Sequence, residues 1–317
     1  MKRSKSLVVV VAGLASAATV AGAATSAPPT SEPVAGDPAS SAPADSANAS
    51  GSDLDGDLSV FAAASLTDVF TEIGDAFMTE NPDVEVTFSF GASSDLVNQI
   101  NEGAPVDVFA SADVANMDKL VDADGADDEP LVFATNSLAI IVEAGNPESI
   151  TGLEDLGADP DLVVLSCAPE VPIGAYTQEV LSNAGVEVEF DSLEENVRAV
   201  VEKVVLGEAD AGVVYTTDVT AAGEDAEGVE IPADVNITAG YPIAVTAEAA
   251  NPDGADAFEA FVVGPAGQEI LASYGFGAPA EPTESTDITG SAETADSVGA
   301  TESSSSSSEM STTEPAA

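Results

Sequence analysis

The chain has no histidine, no tryptophan and one cysteine, and its 6 Lys+Arg stand against 57 Asp+Glu in 317 residues, a formal net charge of −51. Each scarcity excludes a class of chemistry. Without histidine there is no Ser-His-Asp or Cys-His nucleophile, no histidine zinc site and no imidazole pH switch. The lone Cys167 leaves neither an intrachain disulfide nor an iron–sulfur cluster held by one chain. The charge balance excludes a nucleic-acid partner, because phosphate backbones are bound by clustered Lys and Arg. For an enzyme only a carboxylate pair, as in hydrolases, is left, so the reading is of a non-enzyme with that hydrolase as the alternative.

What is present is unevenly placed. Lys2, Arg3 and Lys5 precede the apolar, small-residue run LVVVVAGLASAATVAGAA at 7–24, so residues 1–24 have the layout of a secretory signal peptide, with Ala21-Gly22-Ala23 or Gly22-Ala23-Ala24 as cleavage site. No cysteine follows, so no lipoprotein anchor is available. The run is about the minimum length for a span, which keeps an uncleaved anchor as the alternative. Either way the remainder is expected secreted, or in the periplasm or cell envelope, on the exterior face of the membrane. Residues 25–57 and 278–317, the latter with six serines at 303–308, are rich in Pro, Ser, Thr, Ala and acid and hold too few large apolar residues to bury a core. They are expected to be a disordered spacer and a disordered tail. Asp53-Leu54-Asp55-Gly56-Asp57 imitates a calcium loop, but Leu58 stands where Gly belongs and Ala64 where Glu belongs, so it reads as solvated linker.

Residues 58–277 hold 43 acids against three bases, Lys119, Arg198 and Lys203. Such a surface suits high salt, where screening shortens repulsion to a few ångströms, or an exterior that binds no polyanion; compositional drift is the plainer alternative. Arg198 is expected to pair with Glu194 or Glu202 at i−4 and i+4. Within this region short β-rich runs alternate with helical ones, the signature of an α/β protein with mainly parallel strands. LSVFAAA (58–64) reads as a strand, and Val69, Phe70, Ile73, Ala76 and Phe77 then share a helical face. VEVTFSF (84–90) alternates as a half-buried strand; Leu96, Val97 and Ile100 form a short helix stopped at Gly103. VDVFASAD (106–113), LVVLSC (162–167) and AGVVYTTD (211–218) repeat the pattern, an apolar run leading into a helix-initiating turn. Cys167 reads as a small buried residue at a strand end.

Strand ends feeding helix starts are where such folds bind ligands. A helix N-terminus carries unpaired N–H groups and a positive dipole end, so it holds an anion without Lys or Arg. Ser65 and Ser93 stand at two such starts and Tyr215 at the end of another strand. The plain alternative is that each serine is an N-cap.

The segments VFAAASLTDVF (60–70), FSFGASSDLVNQINEGAPVDVFASAD (88–113), PEVPIGAYTQEVL (169–181), ENVRAVV (195–201), GEADAGVVYTTD (207–218) and YPIAV…FVVGPAGQEILASYGF (241–276) resemble, in order, the periplasmic molybdate-binding proteins of ABC importers. The resemblance implies an α/β, two-lobed periplasmic-binding-protein fold, type II-like, with a hinge and an inter-lobe cleft. Lobe 1 is expected at 58–138 plus 241–277 and lobe 2 at 139–240. It implies molybdate or tungstate as ligand, bound as the oxyanion with no cofactor and no separate metal site, and a permease with its ATPase as partners of a monomer; sulfate is the alternative ligand. Carried over by motif, the ligand contacts are Ser65, Ser93, Ile173, Val197 and Tyr215. Ile173 and Val197 are apolar and offer only backbone N–H. Ile173 stands where the family commonly has a small residue, and Cys167-Ala168-Pro169-Glu170 replaces its D-P-E approach. In an all-donor pocket the acids are expected to face solvent rather than the cleft.

Overall fold

The computed structural model describes residues 54–279. The signal segment, the spacer to residue 53 and the tail from residue 280 lie outside the described residues.

Strand β1 (Gly56–Ala63) buries Leu58, Val60 and Ala62, and a 3₁₀ turn at Ala64–Leu66 leads into helix α1 (Thr67–Glu80). The helix buries Val69, Phe70, Ile73 and Phe77, the stripe its spacing predicts. β2 (Val84–Gly91) lies parallel to β1, and α2 (Ser93–Asn101) ends just before Gly103, whose φ of +95° suits glycine. β3 (Val108–Ala110) and α3 (Val114–Val121) follow. The 13-residue β4 (Leu131–Glu143) leads to α4 (Leu153–Leu156), β5 (Val164–Cys167), α5 (Pro172–Ala184), β6 (Ser192–Glu194), α6 (Val197–Val205), β7 (Ala211–Tyr215), α7 (Thr216–Ala222) and β8 (Ala226–Glu230). β9 (Thr238–Val245) returns, and α8 (Pro252–Val263) and α9 (Pro265–Ser273) close the described chain.

Strand order is β2-β1-β3-β9-β4-β7-β5-β6, with β8 also on β4. β4 is the shared member: Leu131–Ser137 pairs with β9, and Leu138–Val142 pairs with β7. The chain thus passes between two strand groups twice, along β4 and through the segment before β9. Asn236 ties the crossings together, its Oδ1 accepting from Leu138 N at 3.2 Å and its Nδ2 donating to Leu138 O at 2.9 Å. In the first group α1 and α8 pack through aromatic edges, Phe77 and Phe258 standing 5.3 Å apart at 85°. Such pairs contribute about 0.5–1.5 kcal/mol beyond area burial.

Several expectations change. The strands are not mainly parallel: β1–β2, β1–β3, β5–β6 and β5–β7 are parallel, but β3–β9, β4–β7, β4–β8 and β4–β9 are antiparallel. Crossing strands that run from one group to the other and back must oppose their neighbours. The spacer also ends earlier than residue 57, because Gly56 and Asp57 pair with Val84 and Glu85. That pairing places the last residues of the calcium-loop imitation in a strand. Arg198 bonds neither Glu194 nor Glu202; its guanidinium grips Asp68 on α1, and Glu194 bonds Lys203 instead at 2.6 Å. Cys167 is buried at the end of β5, and burial pushes its thiol pKa up.

Candidate functional site

The structure brings Ser65, Ser93, Ile173, Val197 and Tyr215 to the wall of one narrow cavity. Ser65 sits in the turn after β1, and Ser93 is the first residue of α2. These two belong to the first strand group. Ile173 is in the first turn of α5, Val197 opens α6, and Tyr215 ends β7, all in the second group. The cavity therefore lies between the groups. Between these residues the wall is made of small ones, including Ala63, Ala64, Gly91, Ala92 and Ala112. Gly174 lets α5 start so close to the preceding loop, since a Cβ there would collide with the Ala168 carbonyl. Asn196 also lines the cavity and caps α6 through Ala199 N at 3.2 Å. Residue pattern alone did not single it out.

Neither serine is a side-chain cap. Ser93 Oγ accepts from Ala112 N at 3.0 Å, and Ser65 Oγ lies 3.1 Å from Tyr241 Oη. Tyr215 Oη is buried with no hydrogen-bond partner among the described residues. An orphaned buried hydroxyl costs about 1–3 kcal/mol, so a ligand accepting from it would recover that loss. The N–H groups of Ser93, Ile173 and Val197 fall in first helical turns, where no intrahelical acceptor exists.

Among the described residues, no Lys, Arg, Asp or Glu lines the cavity. The positive potential there comes from the N-terminal ends of α2, α5 and α6 and from neutral hydroxyls. Burial pushes the phenols of Tyr215 and Tyr241 up, keeping both protonated as donors. The acids near the cleft do not all face solvent, which corrects that expectation. Asp113 and Asp218 are buried. Each is used on backbone: Asp113 accepts from Asn116 N at 3.1 Å and Asp218 from Tyr215 N at 3.0 Å. Burial pushes the Asp218 carboxyl up to about 7, against the lowering effect of the Tyr215 N–H and of Arg198.

Two groups of strands joined by two crossings, with a donor-lined cavity between them, define an α/β solute-binding protein of the periplasmic type. Residues 58–277 match the bacterial extracellular solute-binding protein family, and the chain belongs to that family. It is 41% identical over 220 residues, 69% of this chain and 84% of the relative, to a protein of Mycobacterium tuberculosis named molybdate-binding protein ModA. Among solved structures it resembles the substrate-binding domain of a putative molybdenum ABC transporter from Clostridium difficile, 30% identical, covering 71% of this chain and 99% of that one with a TM-score of 0.55. The sulfate-binding protein SubI of M. tuberculosis, 20% identical and covering 69% of this chain and 86% of that one, superposes at a TM-score of 0.64. That likeness shows the fold alone.

Proposed function

We propose that the protein captures molybdate or tungstate outside the membrane and delivers it to the permease of an ABC importer, whose ATPase drives uptake. The observation that carries this reading is the composition of the cavity wall: residues bearing two serine hydroxyls, one orphaned tyrosine hydroxyl and three first-turn amides line it together without a charged side chain among the described residues. Such a wall donates everywhere and accepts almost nowhere, which matches a fully deprotonated tetrahedral dianion. Ser65, Ser93, Ile173, Val197 and Tyr215 are the proposed contacts, the last through its hydroxyl and Ile173 and Val197 through N–H. The relatives named for molybdate support that ion over sulfate. Segment 58–138 plus 241–277 would close on 139–240 about β4 and the segment preceding β9. The protein acts by binding and release, with no catalysis of its own and no cofactor.

Titration calorimetry of the full chain with molybdate, tungstate, sulfate and phosphate tests this. Tight binding of molybdate and tungstate with weak sulfate and weaker phosphate is expected. Sulfate binding as tight as molybdate would move the protein to a sulfate-uptake role, and binding of none would overturn the reading.

A further inference from the structure

Tyr241 is fully buried on β9 beside the cavity but is absent from its wall. Its hydroxyl joins a chain of hydrogen bonds in which the orientation of Asn136 is fixed from the far end. Asn136, on the crossing strand β4, has one amide atom that receives the Ser137 backbone N–H at 2.9 Å. A backbone N–H only donates, so that atom is Oδ1, and Thr216 Oγ1 donates to it as well at 2.9 Å. The opposite atom is therefore Nδ2, with two protons, and it faces Thr217 Oγ1 at 2.8 Å and Tyr241 Oη at 3.4 Å. Tyr241 Oη accepts from the amide and has one proton of its own to give. Ser65 Oγ, 3.1 Å away, is its hydrogen-bonding neighbour on the cavity side. Either oxygen of the Ser65–Tyr241 pair can supply the proton; when Tyr241 supplies it, the proton of Ser65 is left for the cavity.

We propose that Tyr241, oriented by Asn136, is a positioning residue that locks Ser65 as a hydrogen-bond donor toward the ligand and thereby sets the preference for oxyanions without a proton. This rests on the oxyanion reading of the cavity. Ser93 reaches the same state by a different route, because its Oγ accepts from Ala112 N. With a protein donor on each hydroxyl oxygen, the proton of each serine is turned toward the ligand, and one lone pair is left on each oxygen for a protonated ligand to reach. Monohydrogen phosphate carries the same charge as molybdate and one proton, and that proton competes with the serine protons for the same space. The lock also joins the site to the crossings, since Asn136 lies at the middle of β4 and Thr216 and Thr217 open α7 directly after Tyr215.

The test compares wild type with Tyr241→Phe by competition calorimetry, using molybdate and phosphate at a pH where phosphate is the monohydrogen dianion. Phenylalanine keeps the ring contacts and frees Ser65 Oγ–H to turn inward or outward. Molybdate affinity is expected to fall about tenfold, while monohydrogen phosphate holds or improves, so the affinity ratio narrows by at least tenfold. Equal losses for both ions, the pattern of a merely structural role, would overturn the proposal, as would no loss at all. A second measurement needs neither ligand nor variant: in NMR spectra of the wild type the buried Tyr241 hydroxyl proton is expected to show an Overhauser contact to the Ser65 β protons. A hydroxyl proton directed at Asn136 would overturn the lock even with molybdate bound tightly. A wild type that binds no oxyanion would sink the function reading and leave the hydroxyl-proton result to decide the lock.

Discussion

Arg198 at the start of α6 and Asp68 in the first turn of α1 hold each other by two parallel hydrogen bonds, 2.8 and 3.0 Å long, across the two strand groups. One of three bases in residues 58–277 is thus used on a contact beside the cavity and not within it: Val197, its neighbour, is in the wall, and Arg198 is not. Both side chains keep substantial solvent contact, 32% for Arg198 and 44% for Asp68.

A pair so exposed contributes on the order of 1 kcal/mol or less. Arg198→Ala is therefore expected to weaken molybdate binding by less than about tenfold, through a less favoured closed arrangement and faster release. Raising salt is expected to reproduce part of that loss in wild type and to have little effect on the variant, because screening acts on the pair and the cavity has no charged side chain. Stopped-flow release rates at several salt concentrations measure both. A loss beyond tenfold would place the cation in contact with the ligand.

The hydroxyls give a second prediction, in which stability and affinity move in opposite directions. Tyr215→Phe removes a buried group that has no partner, so the ligand-free protein should be unchanged or slightly more stable. Its oxyanion affinity should nevertheless fall, as should those of Ser65→Ala and Ser93→Ala, each by on the order of 1–3 kcal/mol. Thermal unfolding with and without molybdate reads both quantities in one experiment. Loss of stability without loss of affinity in Tyr215→Phe would remove this residue from the site.

Asp218 supplies the pH dependence. Its carboxyl rises from an ordinary 3.8 to about 7 on folding, so between those values the folded protein binds the extra proton. Stability contributed by that proton is present at low pH and is lost as pH climbs from about 4 through about 7. Asp218→Asn keeps an acceptor for Tyr215 N and removes the titration. The variant should be more stable than wild type above pH 7, and the difference should shrink toward pH 4. Denaturant unfolding of both proteins across that range checks it; a difference independent of pH would place the Asp218 pKa near its unfolded value.

What the sequence revealed of this site follows from the reach of each interaction. Ser65 and Ser93 are legible because a strand end running into a helix start is a local pattern, within ten residues. Ile173 and Val197 are not legible as residue types, since what they offer is main chain; only the PIGAY and NVRA motifs pointed to them. Tyr241 and Asn136 escaped altogether: the partners Ser65 and Tyr241 are 176 residues apart, and Asn136 and Tyr241 are 105 apart. Arg198 shows the converse error, a helix-local pairing outcompeted by Asp68 from 130 residues away, where bidentate geometry is available. The mixed strand directions were hidden for a related reason. β4 is two apolar runs parted by Thr135-Asn136-Ser137, and its partner changes from β9 to β7 directly after that break, but a polar break alone does not say which strand lies on either side.

The main-chain donors can be tested one at a time through Val197. It is the first residue of α6, a position where proline is favoured because its missing N–H has no intrahelical acceptor and its fixed φ suits the helix. Proline also requires an extended residue before it, and Asn196 already has φ −157° and ψ 167°. Val197→Pro should thus leave the fold and the Asn196 cap on Ala199 N in place while deleting one N–H from the cavity wall. Val197→Ile, which keeps the N–H and the apolar wall, is the control. If the site is built on backbone dipoles, the proline variant should unfold within a few degrees of wild type and lose on the order of 1–3 kcal/mol of molybdate affinity, the cost of one missing hydrogen bond to a charged acceptor. The isoleucine variant should lose much less. Equal affinity in the two variants would mean that the Val197 amide does not reach the oxyanion and that the start of α6 shapes the cavity without holding the ligand.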